Sequence, residues 1–256
     1  MSIWGKLIGG AAGMALGGPI GAILGIAAGH GVDKVSKFDT DESNKNFSND
    51  QKEQIFATSV IAISAKLAKV DGKISKSEIL AFKKIFEFSA DDEKAISNIF
   101  NSAKENIDDY KRIAEQVYKV FKSDRGLLFE LLNSLFSIAY ADGELHPKEK
   151  VMLSEIAKVF QISENEFESL NNIFEAKISQ HNTSIINRSY KILGLSENAS
   201  LEKVSNQYRK LIKEYHPDKL QGMGLPKEFI DLANQKLSAI NKAYTEIKNN
   251  EKNSKL

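Results

Sequence analysis

The sequence predicts an all-α protein in three parts: a glycine-rich transmembrane helix, a helical bundle with an internal duplication, and a C-terminal helical hairpin. Apolar residues recur at three- and four-residue spacing from Gln51 to Lys177 and again from Val204 to Ile247, with no strand-like alternation. Only 4 prolines interrupt the 256 residues, and 10 of the 16 glycines fall in the first 31. At 42% hydrophobic and 27% charged residues, most of the chain has the composition of a folded protein and not of a disordered tail. The absence of cysteine excludes disulfide scaffolds, cysteine nucleophiles, thiolate zinc sites and iron–sulfur clusters.

A net charge of +1 conceals three unlike segments. Residues 1–38 carry +2, residues 39–185 carry −6, and residues 186–256, with 13 Lys and Arg against 8 Asp and Glu, carry +5. An acidic middle between basic ends points to three segments with different tasks, and against a nucleic-acid-binding surface spread along the chain.

Residues 1–32 form the first segment. From Leu7 to Gly29 no side chain is ionisable, and a helix of that length reaches ~35 Å, enough to cross a bilayer core. Gly9, Gly13, Gly17, Gly21, Gly25 and Gly29 recur every four residues and make one helical stripe. Small residues on such a stripe let two backbones approach closely, which is the packing that joins helices in lipid, so the segment reads as a dimerising transmembrane helix. Two alternatives stand beside it. A cleaved signal peptide shares the basic start and apolar stretch, although its apolar region is normally shorter and ends at a clear cleavage site. A soluble glycine-rich tail is the other, since glycine contributes little to insertion and Pro19 interrupts the middle. Lys6 before the span and Lys34 and Lys37 after it barely decide orientation. Residues 33–49 are polar, without an apolar period, and read as a linker.

In the middle segment, residues 50–180, Ile55, Ser59, Ile63, Leu67 and Val70 share one helical face, and Leu127, Leu128, Leu131, Leu135, Ile138 and Ala139 another. At an offset of 71 residues, Val70-Asp71-Gly72-Lys73-Ile74 aligns with Ala141-Asp142-Gly143-Glu144-Leu145, and Glu78 falls on Glu149. This is a duplicated helix–turn–helix, two copies of which would pack into about seven helices. Asp71, Glu78, Asp142 and Glu149 are weak candidate metal ligands, because Asp-Gly followed by Glu at this distance matches the second half of a calcium-binding loop. The first half is missing: the positions for its first two carboxylates hold Leu67 and Lys69, or Ile138 and Tyr140. The competing reading is structural: Gly72 and Gly143 stop helices in the left-handed conformation, Ser75 and Glu78 form a capping box, and Pro147 and Glu149 open the next helix in the second copy. The repeated Asp-Gly hairpin resembles the TerB-like domain, a resemblance that implies a binding or regulatory module for a metal ion or partner protein.

In the last segment, residues 186–256, Tyr190-Lys191-Ile192-Leu193-Gly194-Leu195 reads as a helix stopped by Gly194. Ser200 can cap a second helix running to about Tyr215, with Val204, Tyr208, Leu211 and Tyr215 on one face and Lys203, Arg209, Lys210 and Lys213 elsewhere. His216-Pro217-Asp218 ends it, since proline disfavours a helical residue before it. Pro226 opens a third helix with Phe229, Ala233, Leu237, Ile240, Tyr244 and Ile247 on its apolar face. The two amphipathic helices should pack as an antiparallel hairpin with His-Pro-Asp at an exposed tip. With Tyr208-Arg209-Lys210-Leu211 upstream and Ala239-Ile240-Asn241-Lys242-Ala243-Tyr244 downstream, this pattern resembles a J-domain. The resemblance implies docking on a DnaK-type chaperone and stimulation of its ATP hydrolysis, His216, Pro217 and Asp218 engaging the ATPase domain and linker while Arg209, Lys210 and Lys213 meet an acidic surface.

The order of parts, with Trp4-Gly5-Lys6 at the start, Gly29-His30-Gly31-Val32-Asp33 after the span, and His216-Pro217-Asp218-Lys219-Leu220 followed by Gly224-Leu225-Pro226, is similar to the DjlA co-chaperones over nearly the full chain. That resemblance implies a single-pass bacterial inner-membrane protein, its bulk cytoplasmic, that forms a homodimer through the span and recruits a DnaK-type chaperone. No nucleophile, phosphate-binding loop or clustered histidine suggests an enzyme, a cofactor or a nucleic-acid partner. A second reading makes the TerB-like unit a metal- or partner-sensing scaffold, with the J-domain as its output.

Overall fold

The computed structural model describes residues 18–21, 47–70, 82–83, 90–103, 108–178, 185–197 and 199–253, and every regular element among them is helical. Of the predicted glycine stripe, Gly9, Gly13, Gly17, Gly25 and Gly29 lie outside the described residues, as do Asp71, Glu78 and nearly all of the 33–49 linker. Gly21 is described: it is buried in a helical turn of residues 18–21, whose Gly18 lies against the Gln116 side chain.

The bundle begins at α1 (Asn49–Val70), which a reciprocal cap starts. The Gln51 amide donates to Ser48 Oγ at 3.3 Å, and the Ser48 amide donates to Gln51 Oε1 at 2.9 Å, so two otherwise unpaired amides are satisfied. From Ile55 to Ala68 every α1 residue is buried, as expected of a helix that is apolar nearly all round and packed on several sides. Around it lie α2 (Ala90–Ala103), α3 (Tyr110–Phe121) and α4 (Arg125–Ala139). Helix α3 is amphipathic and turns Ile113, Ala114, Val117 and Phe121 inward. Helix α4 is the second central element, buried at nearly every position, and α5 (Pro147–Val159) and α6 (Glu164–Ile178) pack against it.

The second copy of the repeat adopts the predicted turn. After a 3-10 turn at Tyr140–Asp142, Gly143 takes φ +106°, a conformation that favours glycine. Pro147 opens α5, and the Glu149 carboxylate accepts the His146 amide at 3.0 Å. The aromatic rings of Phe136, Tyr140 and Phe174 stack beneath the turn.

The C-terminal segment comprises α7 (Ile185–Ile192), α8 (Leu201–Glu214), α9 (Pro217–Gly222) and α10 (Ile230–Asn253). Gly194 stops α7 at φ +69°, and Ser200 Oγ caps α8 by accepting the Lys203 amide at 3.4 Å. Helices α8 and α10 form the expected hairpin, with Tyr208 and Tyr244 stacked at 4.1 Å between ring centroids. Two boundaries differ from the sequence reading. Pro217 not only follows a helix but starts another, α9, because its fixed φ and missing N–H suit a first helical position. A 3-10 turn at Lys227–Phe229 follows Pro226, so α10 starts at Ile230.

Bundle and hairpin share one continuous core. Phe56 of α1 meets Phe229 edge-on at 4.9 Å, and Phe129 of α4 stacks on Tyr215 at 4.5 Å. Gly126 of α4 lies so close to the hairpin that a Cβ there would meet Leu220 Cδ2 at 2.6 Å and the Glu214 carbonyl oxygen at 3.1 Å. Helices α8 and α10 pack on each other as expected, and the apolar face beyond that contact is completed by the bundle.

Candidate functional site

The His-Pro-Asp segment lies where α8 ends and α9 begins. Tyr215 closes α8, its amide donating to the Leu211 carbonyl at 2.9 Å, and His216 follows in extended backbone as the N-cap of α9. His216 Nδ1 accepts the Asp218 amide at 3.3 Å. In the neutral ring that bond assigns the proton to Nε2, which leaves an N–H donor for a partner. The His216 side chain is 51% exposed and that of Asp218 90% exposed, while Pro217 is buried. Histidine and aspartate are thus presented to solvent from a proline anchored underneath. Arg209, Lys210 and Lys213 of α8 are all exposed, so the six residues selected from the sequence form a basic helix leading into an exposed His/Asp tip.

The underside is built by residues that sequence reasoning did not select. Arg125, at the start of α4, donates to Glu166 and to the Gln161 carbonyl and lies 3.4 Å from Glu214 Oε1, tying α6 to the end of α8. Burial works to raise the Glu166 carboxyl, but Arg125 and Ser163 outweigh it and hold it below the usual range. Lys236 of α10 pairs with Glu130 of α4, both completely buried. Its ammonium lies 4.3 Å from the Tyr215 ring centroid and 4.8 Å from that of Phe129, within reach of a cation–π attraction. Asn133 Nδ2 donates to the other Glu130 oxygen at 2.6 Å. Burial lowers the Lys236 pKa against the opposing pull of Glu130, and burial pushes the Tyr215 phenol above its ordinary value. A signal for this pair was present in the sequence: Glu130 interrupts an otherwise apolar run, Leu127 to Leu132, and Lys236 lies on the Phe229–Ile240 stripe.

The two metal candidates among the described residues serve the turn. Asp142 Oδ1 accepts the Glu144 amide at 3.3 Å, and its Oδ2 lies 3.2 Å from His146 Nε2, while Glu149 is buried and caps α5. No group of three or more metal-ligating side chains occurs among the described residues. Burial disfavours a charged His146, but Asp142, Glu149 and Glu144 outweigh it and raise its pKa above 6.5. Its stabilising contribution is therefore full below the unfolded-state value and is lost as pH rises through the folded-state value. Denaturant unfolding at pH 6 and pH 8 should show a small loss of stability that His146→Gln removes, small because the side chain is 35% exposed and screened.

A helical bundle carrying a His-Pro-Asp hairpin defines the class as J-domain co-chaperones. The DnaJ domain family matches residues 188–255, the family of tellurite resistance protein TerB matches residues 57–172, and the co-chaperone DjlA transmembrane domain matches residues 1–51. The chain is 30% identical to the co-chaperone protein DjlA of Coxiella burnetii over 95% of this chain and 96% of that one. It is also 30% identical to the Vibrio vulnificus CMCP6 protein of that name, with 97% and 98% covered, and 29% identical to the Photobacterium profundum one, with 96% and 98% covered. The chain belongs to the DjlA co-chaperone family. No solved structure matches it. Among the described residues no helix is long and apolar enough to cross a membrane; the segment that matches the family's transmembrane domain lies almost entirely outside them.

Proposed function

We propose that this protein docks on a DnaK-type chaperone through His216, Pro217 and Asp218, aided by Arg209, Lys210 and Lys213, and stimulates its ATP hydrolysis at the membrane. The observation that carries this reading is the exposure of His216 and Asp218 at the end of a helix whose three cations also face solvent. The nucleotide and its chemistry belong to the partner. Exposed cations steer an acidic partner into encounter, with a strength that falls with salt. The amino-terminal span inserts once in a bacterial inner membrane with the bulk in the cytoplasm, and two copies pair through the stripe from Gly9 to Gly29, an arrangement in which residues 18–21 leave the Gln116 side chain. Residues 33–49 span at most roughly 60 Å even when fully extended. The docking loop therefore stays near the bilayer, and pairing doubles its local concentration there.

Charge reversal tests the steering role. Lys210→Glu combined with Lys213→Glu should raise the concentration of protein needed for half-maximal ATPase stimulation by roughly tenfold at 50 mM salt, and by much less at 500 mM. An unchanged half-saturating concentration at low salt would remove these cations from the interface.

A further inference from the structure

On both sides of His216–Asp218 the chain is fixed by residues of the bundle. Before the loop, Tyr215 is 1% exposed and stacked on Phe129, Glu214 lies beside Arg125, and the Lys236 ammonium of α10, held by Glu130, lies against the Tyr215 ring. After it, buried Leu220 rests on Gly126. The Gly222 carbonyl accepts Asn49 Nδ2 at 3.5 Å, and Gly224, at φ +105°, lies where a Cβ would meet Lys52 Cβ at 3.0 Å. Lys52 is itself held by Asp124 at 2.7 Å. None of these contacts covers the His216 or Asp218 side chain, so the bundle grips the loop from behind and leaves its docking face open.

We propose that the TerB domain supplies the floor of the His-Pro-Asp loop, with Glu130 a positioning residue that acts through Lys236 and Tyr215, so that both domains meet the chaperone as one rigid body. The proposal rests on the docking role assigned above. Glu130 has the means to act at a distance: Asn133 fixes one carboxylate oxygen, the other binds Lys236, and Lys236 presses on the ring of the residue that precedes His216. A fully buried ion pair between two domains has no room to slide, because any displacement leaves a charge unpaired in an apolar surrounding. The consequence is a division of labour. The exposed cations of α8 set how tightly the chaperone is met, and the buried contacts set how well the loop acts once there.

The test uses the full chain in lipid nanodiscs with a DnaK-type chaperone, comparing wild type with Glu130→Gln, nearly isosteric, and Gly126→Leu, which wedges α4 off Leu220. Maximal ATPase stimulation, half-saturating concentration and amide exchange across residues 214–224 are measured, with circular dichroism as the check on folding. Both variants should keep the half-saturating concentration within about twofold, lose roughly fivefold or more of the maximal stimulation, and exchange roughly tenfold faster across 214–224. Unchanged exchange in a folded variant would overturn the proposal. So would faster exchange with undiminished or greater stimulation, since the contact would then restrain the loop and not position it. If wild type fails to stimulate, the docking role falls, and the exchange rates alone decide whether the bundle holds the loop; should Gly126→Leu not fold, Glu130→Gln carries both readouts.

Discussion

Glu130→Ala is expected to destabilise the protein by about 3–5 kcal/mol, the cost of leaving one member of a buried ion pair without its partner. Lys236 is 1% exposed, lies beside the stacked rings of Phe129 and Tyr215 and is paired with Glu130. Burial already lowers its pKa, and removal of Glu130 takes away the main group that opposes this shift. The unfolded chain of the variant then binds more protons than the folded one between the lowered folded-state pKa and the ordinary value of 10.5, so its stability should rise with pH across that window. Urea unfolding of the full chain at pH 7 and pH 9.5 reads both effects. The double substitution Glu130→Leu with Lys236→Met should recover most of the loss, because replacing both members of a buried pair by apolar groups is often neutral or stabilising. A double variant as unstable as Glu130→Ala would contradict this account of the pair.

His216→Gln is expected to abolish ATPase stimulation while changing stability by no more than about 0.5 kcal/mol, the ordinary range for an exposed substitution. The His216 side chain is half exposed, and among the described residues its Nδ1 accepts the Asp218 amide at 3.3 Å. A glutamine carbonyl can accept that same bond, so the start of α9 should survive. What glutamine lacks is the imidazole Nε2–H on a flat ring, aimed outward by the Nδ1 contact. Full loss of activity in a fully folded chain would separate a docking residue from a residue of the turn.

Local features were the most legible part of the sequence. Ser200, Gly143, Gly194 and Pro147 act through the backbone of their own neighbours, so their residue type and spacing announce the helix end they make. The exposed tip was legible for the same reason: proline after histidine ends a helix wherever it stands. The contact of bundle with hairpin was not legible. An apolar stripe says that a face is covered but not by what, and Glu130 and Lys236 meet across 106 residues. Each of these two charges breaks an apolar pattern, which marks it as buried, but only the fold identifies one as the partner of the other. The short helix α9 was missed because Pro217 was weighed as a stop to α8 and not as a start in its own right. Asp142 and Glu149 had both a metal and a structural reading; Asp142 accepts the Glu144 amide within the turn, and Glu149 accepts the His146 amide at the start of α5.

The most direct test of the central claim is single-turnover ATP hydrolysis by a DnaK-type chaperone with the full chain in nanodiscs, wild type beside His216→Gln. The account predicts stimulation by wild type and none by the variant, with both proteins equally folded. Equal stimulation by the two, or none by wild type at saturating concentration, would contradict it.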